Sequence, residues 1–287
     1  MDIFAEKYIN PFTDFGFKKL FGTEVNKDLL MDFLNELIHG KGKITDVKYL
    51  NPEQLGRSER DRRAVFDIHC ESDTGEKFIV EMQKSKHDFF KDRSVFYASF
   101  PIREQAVKGE WDYRLKAVYT IGVLDFVFNE NRDDENYYHS EVKLMDTQKK
   151  TVFYDKLTFI YLEMPKFKKN IDQLETHFEK WMYVLKNLPK LQQLPSQLQE
   201  KIFEKIFRIA EIAKMDREEI KEYEDSLKTF RDNYSAFITA KRQGRKEEKT
   251  EIAMKMLKDG VPVENICNYT GLTVEQIEEL IQESSNE

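Results

Sequence analysis

The chain has 287 residues, of which 40% are apolar and 34% are charged, enough for one large globular domain or two small ones. Its formal net charge of -7 argues against a histone-like protein that binds nucleic acid through overall charge, but leaves room for a local basic groove. Two cysteines, Cys70 and Cys267, argue against a disulfide framework or a thiolate zinc site and favour a reducing compartment.

The first predicted elements are a helix and a strand. Apolar residues recur at helical spacing over residues 23–38, which predicts an amphipathic helix, and Gly40 follows as a stop signal. A strand is predicted near residues 44–50, and a polar, basic loop over residues 54–63 leads into the next element.

A β-hairpin is predicted over residues 65–83. Its loop contains Gly75, which is free to take the left-handed conformation that a three-residue loop needs. Centring the turn on Thr74 gives one wholly apolar face with three cross-strand pairs. These pairs are Phe66 with Met82, Ile68 with Val80, and Cys70 with Phe78.

The other face of the hairpin is polar. The same register pairs Glu71 with Lys77, which is favourable, and places Asp67 directly opposite Glu81, which is not. A divalent cation held by hard oxygen ligands would turn that repulsion into an attraction. Gln83 lies on the same face because side chains alternate along a strand.

The rest of the chain is predicted to finish an α/β core near Pro165 and then to become all-helical. A helix over residues 88–108 and strands over 115–128, 138–145 and 152–163 complete the core. Helices follow at 171–188, 197–214 and 218–240. Residues 241–249 are predicted to be a basic, solvated linker. The predicted domains are therefore residues 1–165, 166–240 and 241–287.

The tail over residues 251–282 has the outline of a helix-turn-helix, with a capping box at Thr273. Its last helix is acidic and would repel phosphates. We therefore expect the C-terminal helices to pack on a partner helix or to mediate homo-oligomers rather than to read a major groove.

Asp67, Glu81 and Gln83 form the grouping that metal-dependent phosphodiester cleavage requires. Carboxylates hold Mg²⁺, which neutralises charge on the scissile phosphate and lowers the pKa of the attacking water. Gln83 lies two strand positions after Glu81 and faces the same site, where it could orient the water or contact phosphate.

This hairpin, together with the opening block Asn10-Pro11-Phe12-Thr13-Asp14-Phe15-Gly16-Phe17-Lys18-Lys19-Leu20-Phe21-Gly22, resembles the PD-(D/E)xK nuclease superfamily. More narrowly, it is similar to the recombination-promoting nuclease (Rpn) and putative transposase group of bacteria. The resemblance covers roughly the first 165 residues and implies a restriction-endonuclease-like core, a central mixed sheet flanked by helices, followed by an all-helical C-terminal region.

The resemblance also implies a function. It implies a Mg²⁺-dependent DNA endonuclease, in which Mn²⁺ could substitute, with Asp67 and Glu81 as the metal ligands and Asp14 approaching the same site. Gln83 stands where the wider superfamily usually has Lys, and Gln can neither act as a base nor carry a positive charge. With neither a signal peptide nor an apolar run that could span a bilayer, we expect a cytoplasmic, nucleoid-associated protein with no membrane partner.

Basic residues near the motif are candidates for DNA contact. Lys18 follows Asp14 by one helical turn, Arg62 and Arg63 precede the hairpin, and Lys84 and Lys86 follow it. The alternative for these residues is a salt-bridged surface. Asp14 could equally be a helix cap, and His69 and His87 are more often structural than catalytic in such positions.

Two further functions stay open at this point. The Gln at the Lys position and the acidic net charge are compatible with a catalytically silent nuclease fold that binds DNA or protein. A nuclease directed at RNA is a third, weaker alternative.

Overall fold

The computed structural model describes residues 6–38, 42–51, 53–54, 64–106 and 109–284. The chain divides into two compact units, residues 1–230 and residues 231–287, and each is described by itself. None of the helices in these ranges is long and apolar enough to cross a membrane.

A mixed six-stranded sheet forms the centre of the first unit. Its central strands β5, β6 and β8 run parallel to one another, and β1, β4 and β7 pair antiparallel at the two sides in the order β1-β4-β5-β6-β8-β7. The strands of this sheet are β1 Val47–Tyr49, β4 Ile68–Ser72, β5 Lys77–Gln83, β6 Val118–Leu124, β7 His139–Asp146 and β8 Thr151–Glu163. A separate short pair joins β2 Glu53–Gln54 to β3 Ala64–Val65.

The hairpin β4–β5 has the register that the sequence predicts. Ile68 pairs with Val80, Cys70 with Phe78, and Glu71 with Lys77. The Lys77 ammonium lies 2.5 Å from the Glu71 carboxylate. Gly75 in the turn has φ +92°, a conformation that favours glycine.

The prediction for Phe66 is wrong. Instead of facing Met82 on the apolar face of the hairpin, Phe66 packs with Ile79 and Phe100 on the opposite face of the sheet. The reason is local, because β4 begins only at Ile68 and the chain bends at Asp67, so the alternation of side chains does not extend back to Phe66.

Side-chain alternation along β6 shows how the sheet separates two cores. Tyr119, Ile121 and Val123 belong to the large core, while Val118 and Leu124 belong to a smaller one. The large core is shared with α1 Asp14–Phe21, α2 Lys27–Leu37, α4 His177–Asn187 and α5 Lys201–Ile209, and the smaller one with α3 Phe90–Glu104. Helices therefore cover both faces of the sheet, as the resemblance implied.

The predicted helices of the first unit are present with shorter bounds. The helix predicted over residues 23–38 is α2, preceded by one 3₁₀ turn, and its five apolar anchors Leu29, Leu30, Phe33, Leu34 and Leu37 are buried. Helices α4 and α5 bring Trp181 and Phe203 into the same core as Phe21 and Phe33. The sheet therefore shares its core with helices that follow Pro165.

The helices of the second unit end the chain. Helix α6 Arg217–Lys258 begins in the first unit and continues into the second, followed by α7 Val263–Thr270 and α8 Val274–Ser284. Residues 241–249 are part of α6, so the predicted linker is instead helical, because no proline interrupts this run of good helix formers. Thr273 and Gln276 form the predicted capping box, with hydrogen bonds of 3.0 and 3.3 Å. The predicted domain boundaries at residues 165 and 240 stay a prediction.

Candidate active site

Asp67 and Glu81 are held together by reciprocal hydrogen bonds at the point where β4 begins. The backbone N–H of Met82 donates to Asp67 Oδ2 at 2.7 Å, and the backbone N–H of Asp67 donates to Glu81 Oε1 at 3.3 Å. The Asp67 carboxylate thus accepts the Met82 N–H that a backbone carbonyl would accept in a continued ladder, and the Glu81 carboxylate accepts the Asp67 N–H in return. The bend that moves Phe66 also fixes these two side chains beside each other, as the register predicts for Asp67 and Glu81.

This pair is largely removed from solvent, with Glu81 buried and Asp67 half-buried, and two carboxylates so close together repel each other. Glu81 is only 9% exposed. Burial, and then the neighbouring Asp67 charge, raise the pKa of Glu81 to about 8. Burial likewise raises the pKa of Asp67, and the charge of Asp14 adds to this rise, while the Met82 N–H opposes it.

Arg93, near the start of α3, brings a positive charge to the pair. Its guanidinium donates a hydrogen bond to Gln83 Oε1 and lies 3.9 Å from Glu81 Oε2. The Gln83 amide donates in turn to the Ser85 carbonyl at 3.0 Å, so both ends of the amide are fixed. Arg93 therefore supplies beside Gln83 the positive charge that glutamine lacks.

The sequence did not single out Arg93. The available signal was its position in the first turn of the helix after the motif strand. That helix crosses back over the sheet, so its first turn faces the end of β5.

Asp14 and Lys18 lie near the pair but do not join it. They form an exposed ion pair with each other at 2.8 Å, one turn apart on α1. Their charges reach Asp67, since Asp14 raises its pKa and Lys18 lowers it. Within the described residues, no three His, Cys, Asp or Glu side chains are close enough to share a metal ion, and the role of Asp14 at the site stays a prediction.

The other predicted DNA contacts are in different settings. The Lys84 ammonium donates to the Phe230 carbonyl and lies 2.9 Å from the centre of that ring. Burial lowers the pKa of Lys84 to about 8, opposed by Asp125. Lys84 therefore contacts Phe230 within the first unit, and its role as a DNA contact stays a prediction. Lys86 is half-buried, and Arg62 and Arg63 lie outside the described residues.

The two histidines near the motif do not contribute a base to the pair. His69 is 1% exposed and its Nδ1 lies 3.2 Å from the Asn51 carbonyl. Burial lowers the pKa of His69, which keeps it neutral in the core. His87 is exposed and lies beyond the end of β5.

A comparison with protein families matches residues 11–240 to a PD-(D/E)XK nuclease family transposase. The chain belongs to this family. The match confirms the resemblance and the fold class, and it covers Asp14, the β4–β5 hairpin and Arg93. Searches of curated proteins and of solved structures found no match. As a member of a PD-(D/E)XK nuclease family, the protein has a nuclease-type fold whose implied substrate is DNA.

The donor chemistry of the Asp67–Glu81 carboxylate pair fits a hard divalent cation. Asp67 and Glu81 each use one oxygen for a backbone N–H, and a cation held by the other oxygens would relieve their mutual repulsion. Mg²⁺ in particular is usually held by one or two carboxylates, with waters and substrate phosphates completing its octahedron. Two carboxylates are therefore a sufficient protein donor set for Mg²⁺.

Proposed function

We propose that the protein is a metal-dependent DNA endonuclease associated with recombination or mobile elements, acting in the cytoplasm at the nucleoid. The observation that supports this most is the Asp67–Glu81 pair, a half-buried and a buried carboxylate fixed by reciprocal hydrogen bonds beside Arg93. Family membership supports the nuclease class and DNA as substrate.

The residues of the site have distinct roles in this proposal. Asp67 and Glu81 would hold Mg²⁺, and Mn²⁺ in its place, and the ion would lower the pKa of the attacking water and neutralise phosphate charge. Gln83 orients the water or a phosphate oxygen through its fixed amide. Arg93 stabilises negative charge that develops on the phosphate, as a preorganised cation in a partly buried site. Asp14 assists through its charge, which lies close enough to shift the Asp67 pKa.

Nicking of supercoiled plasmid in Mg²⁺ tests the proposal. We expect Asp67→Ala and Glu81→Ala to lose at least about a hundredfold in cleavage rate, and Mn²⁺ to support cleavage by the wild type. Glu141→Gln is a matched control, because Glu141 is an exposed carboxylate on β7 that pairs with Lys143. Equal cleavage by the wild type and both alanine variants would refute the assignment.

A catalytically silent nuclease fold that binds DNA or protein is the second candidate. Gln83 at the usual Lys position favours it, and the Arg93 charge beside Gln83 favours catalysis. Calorimetry with Mg²⁺ and Mn²⁺ separates the two, since a silent module would bind neither ion at the Asp67–Glu81 pair. Matched DNA and RNA substrates test the third candidate, a nuclease directed at RNA.

A further inference from the structure

An aromatic pocket lies at the start of α3, beside the carboxylate pair. Phe89 is 75% exposed and Phe96 is 45% exposed. They border a cavity of about 740 Å³ whose walls include His87, Phe89, Phe90, Arg93, Phe96 and Tyr97. Exposing large aromatic rings to water is unfavourable, so their clustering at one cavity indicates a binding surface.

The aromatic walls of this pocket are anchored in the fold. Phe96 packs edge-on against Phe100 at 5.1 Å, and Tyr97 packs edge-on against Phe66 at 5.2 Å. Phe66 and Phe100 are buried, at 1% and 4% exposure. The pocket is therefore built on a helix that is fixed to the sheet, with Phe96 and Tyr97 held in place by buried rings and Phe89 exposed beside them.

The pocket is continuous with the carboxylate site through Arg93. The guanidinium lies 5.3 Å from the Phe90 ring centre and 5.5 Å from that of Tyr97, and the same group contacts Gln83 and Glu81. Burial raises the pKa of Tyr97, the Arg93 charge opposes this rise, and the charges of Glu81 and Asp67 add to it, so this phenol is within electrostatic range of both acids. A ligand in the pocket would lie next to the reacting phosphate.

The charges and rings of the pocket walls favour a nucleobase over a phosphate as the part of a nucleic acid that the pocket binds. Asp88 and Asp92 are exposed at the cavity and repel phosphates, while the aromatic rings stack on neutral, flat bases. Arg93 attracts a phosphate at the inner edge. A base that is paired within a duplex is already stacked between its neighbours and cannot enter such a pocket without being extruded.

We propose that this pocket binds an unpaired nucleobase next to the scissile phosphate, so that the enzyme acts on DNA with single-stranded, frayed or flipped bases. The inference rests on the proposed nuclease function for the identity of the ligand as DNA. It assigns Phe89 and Phe96 as specificity-determining residues that stack on the base.

Fluorescence of 2-aminopurine in oligonucleotides tests base stacking apart from cleavage. In the Glu81→Gln protein, which leaves the DNA intact, we expect saturable quenching with a single strand and at least fivefold weaker binding to the matched duplex. Adding Phe89→Ala should weaken single-strand binding by about fivefold or more and leave duplex binding unchanged, while Phe89→Trp retains it. Phe153→Ala is the control, because Phe153 is 79% exposed on β8.

The outcomes separate the two proposals. Single-strand affinity that is unchanged by Phe89→Ala, or reduced equally by Phe153→Ala, would overturn the inference and leave the pocket to a protein partner. Quenching that depends on Phe89, in a protein whose wild type cleaves no substrate, supports the pocket and removes only the nuclease proposal. Cleavage of duplex and single strand at equal rates, unaffected by Phe89→Ala, removes only the pocket.

Discussion

At the scale of single residues, a bend of the chain determines the site. The strand β4 begins one residue after Asp67, where the Asp67 carboxylate accepts the Met82 N–H in place of a backbone carbonyl and the Glu81 carboxylate accepts the Asp67 N–H. The same bend fixes the Asp67–Glu81 pair and sends Phe66 to the opposite face. Arg93 then compensates the buried negative charge and fixes the Gln83 amide.

Moving the positive charge from position 93 to position 83 tests whether Arg93 compensates the negative charge of the carboxylate pair. Arg93→Gln should lower the cleavage rate by about tenfold to a hundredfold, since it removes a preorganised cation. Gln83→Lys alone should also be impaired, because two cations would face each other. The double variant Gln83→Lys, Arg93→Gln restores one positive charge at the usual superfamily position and should regain activity. A double variant no better than either single change would contradict the proposed role of Arg93.

A second residue-scale prediction concerns pH. His177 lies between two acids, with Nε2 2.6 Å from Asp32 and Nδ1 2.7 Å from Glu200. The hydrogen bond to Asp32 raises the pKa of His177, burial opposes this rise, and the charges of the nearby acids add to it. Because the folded protein holds this proton more tightly, His177 stabilises the fold below its unfolded pKa of about 6.5, and this contribution is lost as pH rises through the folded value.

The measurement is thermal unfolding between pH 5 and pH 9 for the wild type and His177→Gln. We expect the difference in melting temperature between the two proteins to be largest at acidic pH and to shrink as pH rises. A constant difference across that range would show that His177 is not charged in the folded protein.

At the scale of elements, the N-terminal block is a tightly fitted entry into α1. Thr13 caps the helix by accepting from the Gly16 N–H at 3.0 Å and donates to the Asn10 carbonyl at 2.8 Å. A Cβ added at Gly16 would lie 2.1 Å from that same carbonyl. The block that carries the family resemblance therefore positions α1, and with it Asp14 and Lys18, against the site.

Substituting Gly16 tests the close fit of the chain at the start of α1. Gly16→Ala should lower the free energy of unfolding of the first unit by about 2 kcal/mol or more, because backbone must move to admit the methyl group. Gly244→Ala is the matched control, since Gly244 lies within α6 with nothing near an added Cβ. That change should stabilise the helix by about 0.5–1 kcal/mol. Denaturant unfolding of both variants measures the difference, and a neutral Gly16→Ala would refute the close fit.

At the scale of the whole molecule, the two units have separate cores. The first unit buries its core between the sheet and its helices, and the second buries Ala253, Ile266, Leu272 and Ile277. We therefore expect residues 1–230 to fold and to retain cleavage without the second unit. The role of the C-terminal helices in homo-oligomers stays a prediction.

Truncation after Phe230 tests whether the first unit folds by itself and whether the C-terminal helices mediate oligomers. The free energy of unfolding of the truncated chain should lie within about 1 kcal/mol of that of the first unit in the full chain. Its rate of plasmid nicking should equal that of the full chain. Light scattering should show a smaller oligomer if the C-terminal helices carry assembly. An unfolded truncated chain would show that the first unit depends on the second, and an unchanged oligomer would remove the proposed role of these helices.

The sequence by itself determined local features, namely the helix α2 and the register of the β4–β5 hairpin. Apolar spacing predicts α2, and the turn at Gly75 with two apolar pairs and one ion pair predicts which residues of β4 and β5 face each other. These are local properties, because alternation and turn geometry act over a few residues. The opening block and the motif together indicate the family that the comparison confirms.

Only the tertiary structure decided what surrounds the carboxylate pair. The bend at Asp67 ends the alternation that sequence reasoning extended to Phe66, and the crossover of α3 brings Arg93 to Gln83 and Glu81 from ten or more residues away. The same long-range packing turns Lys84 toward Phe230 and gathers Phe89, Phe96 and Tyr97 around one cavity. Such contacts depend on how helices cross the sheet, which a periodic pattern of apolar residues along one element does not specify.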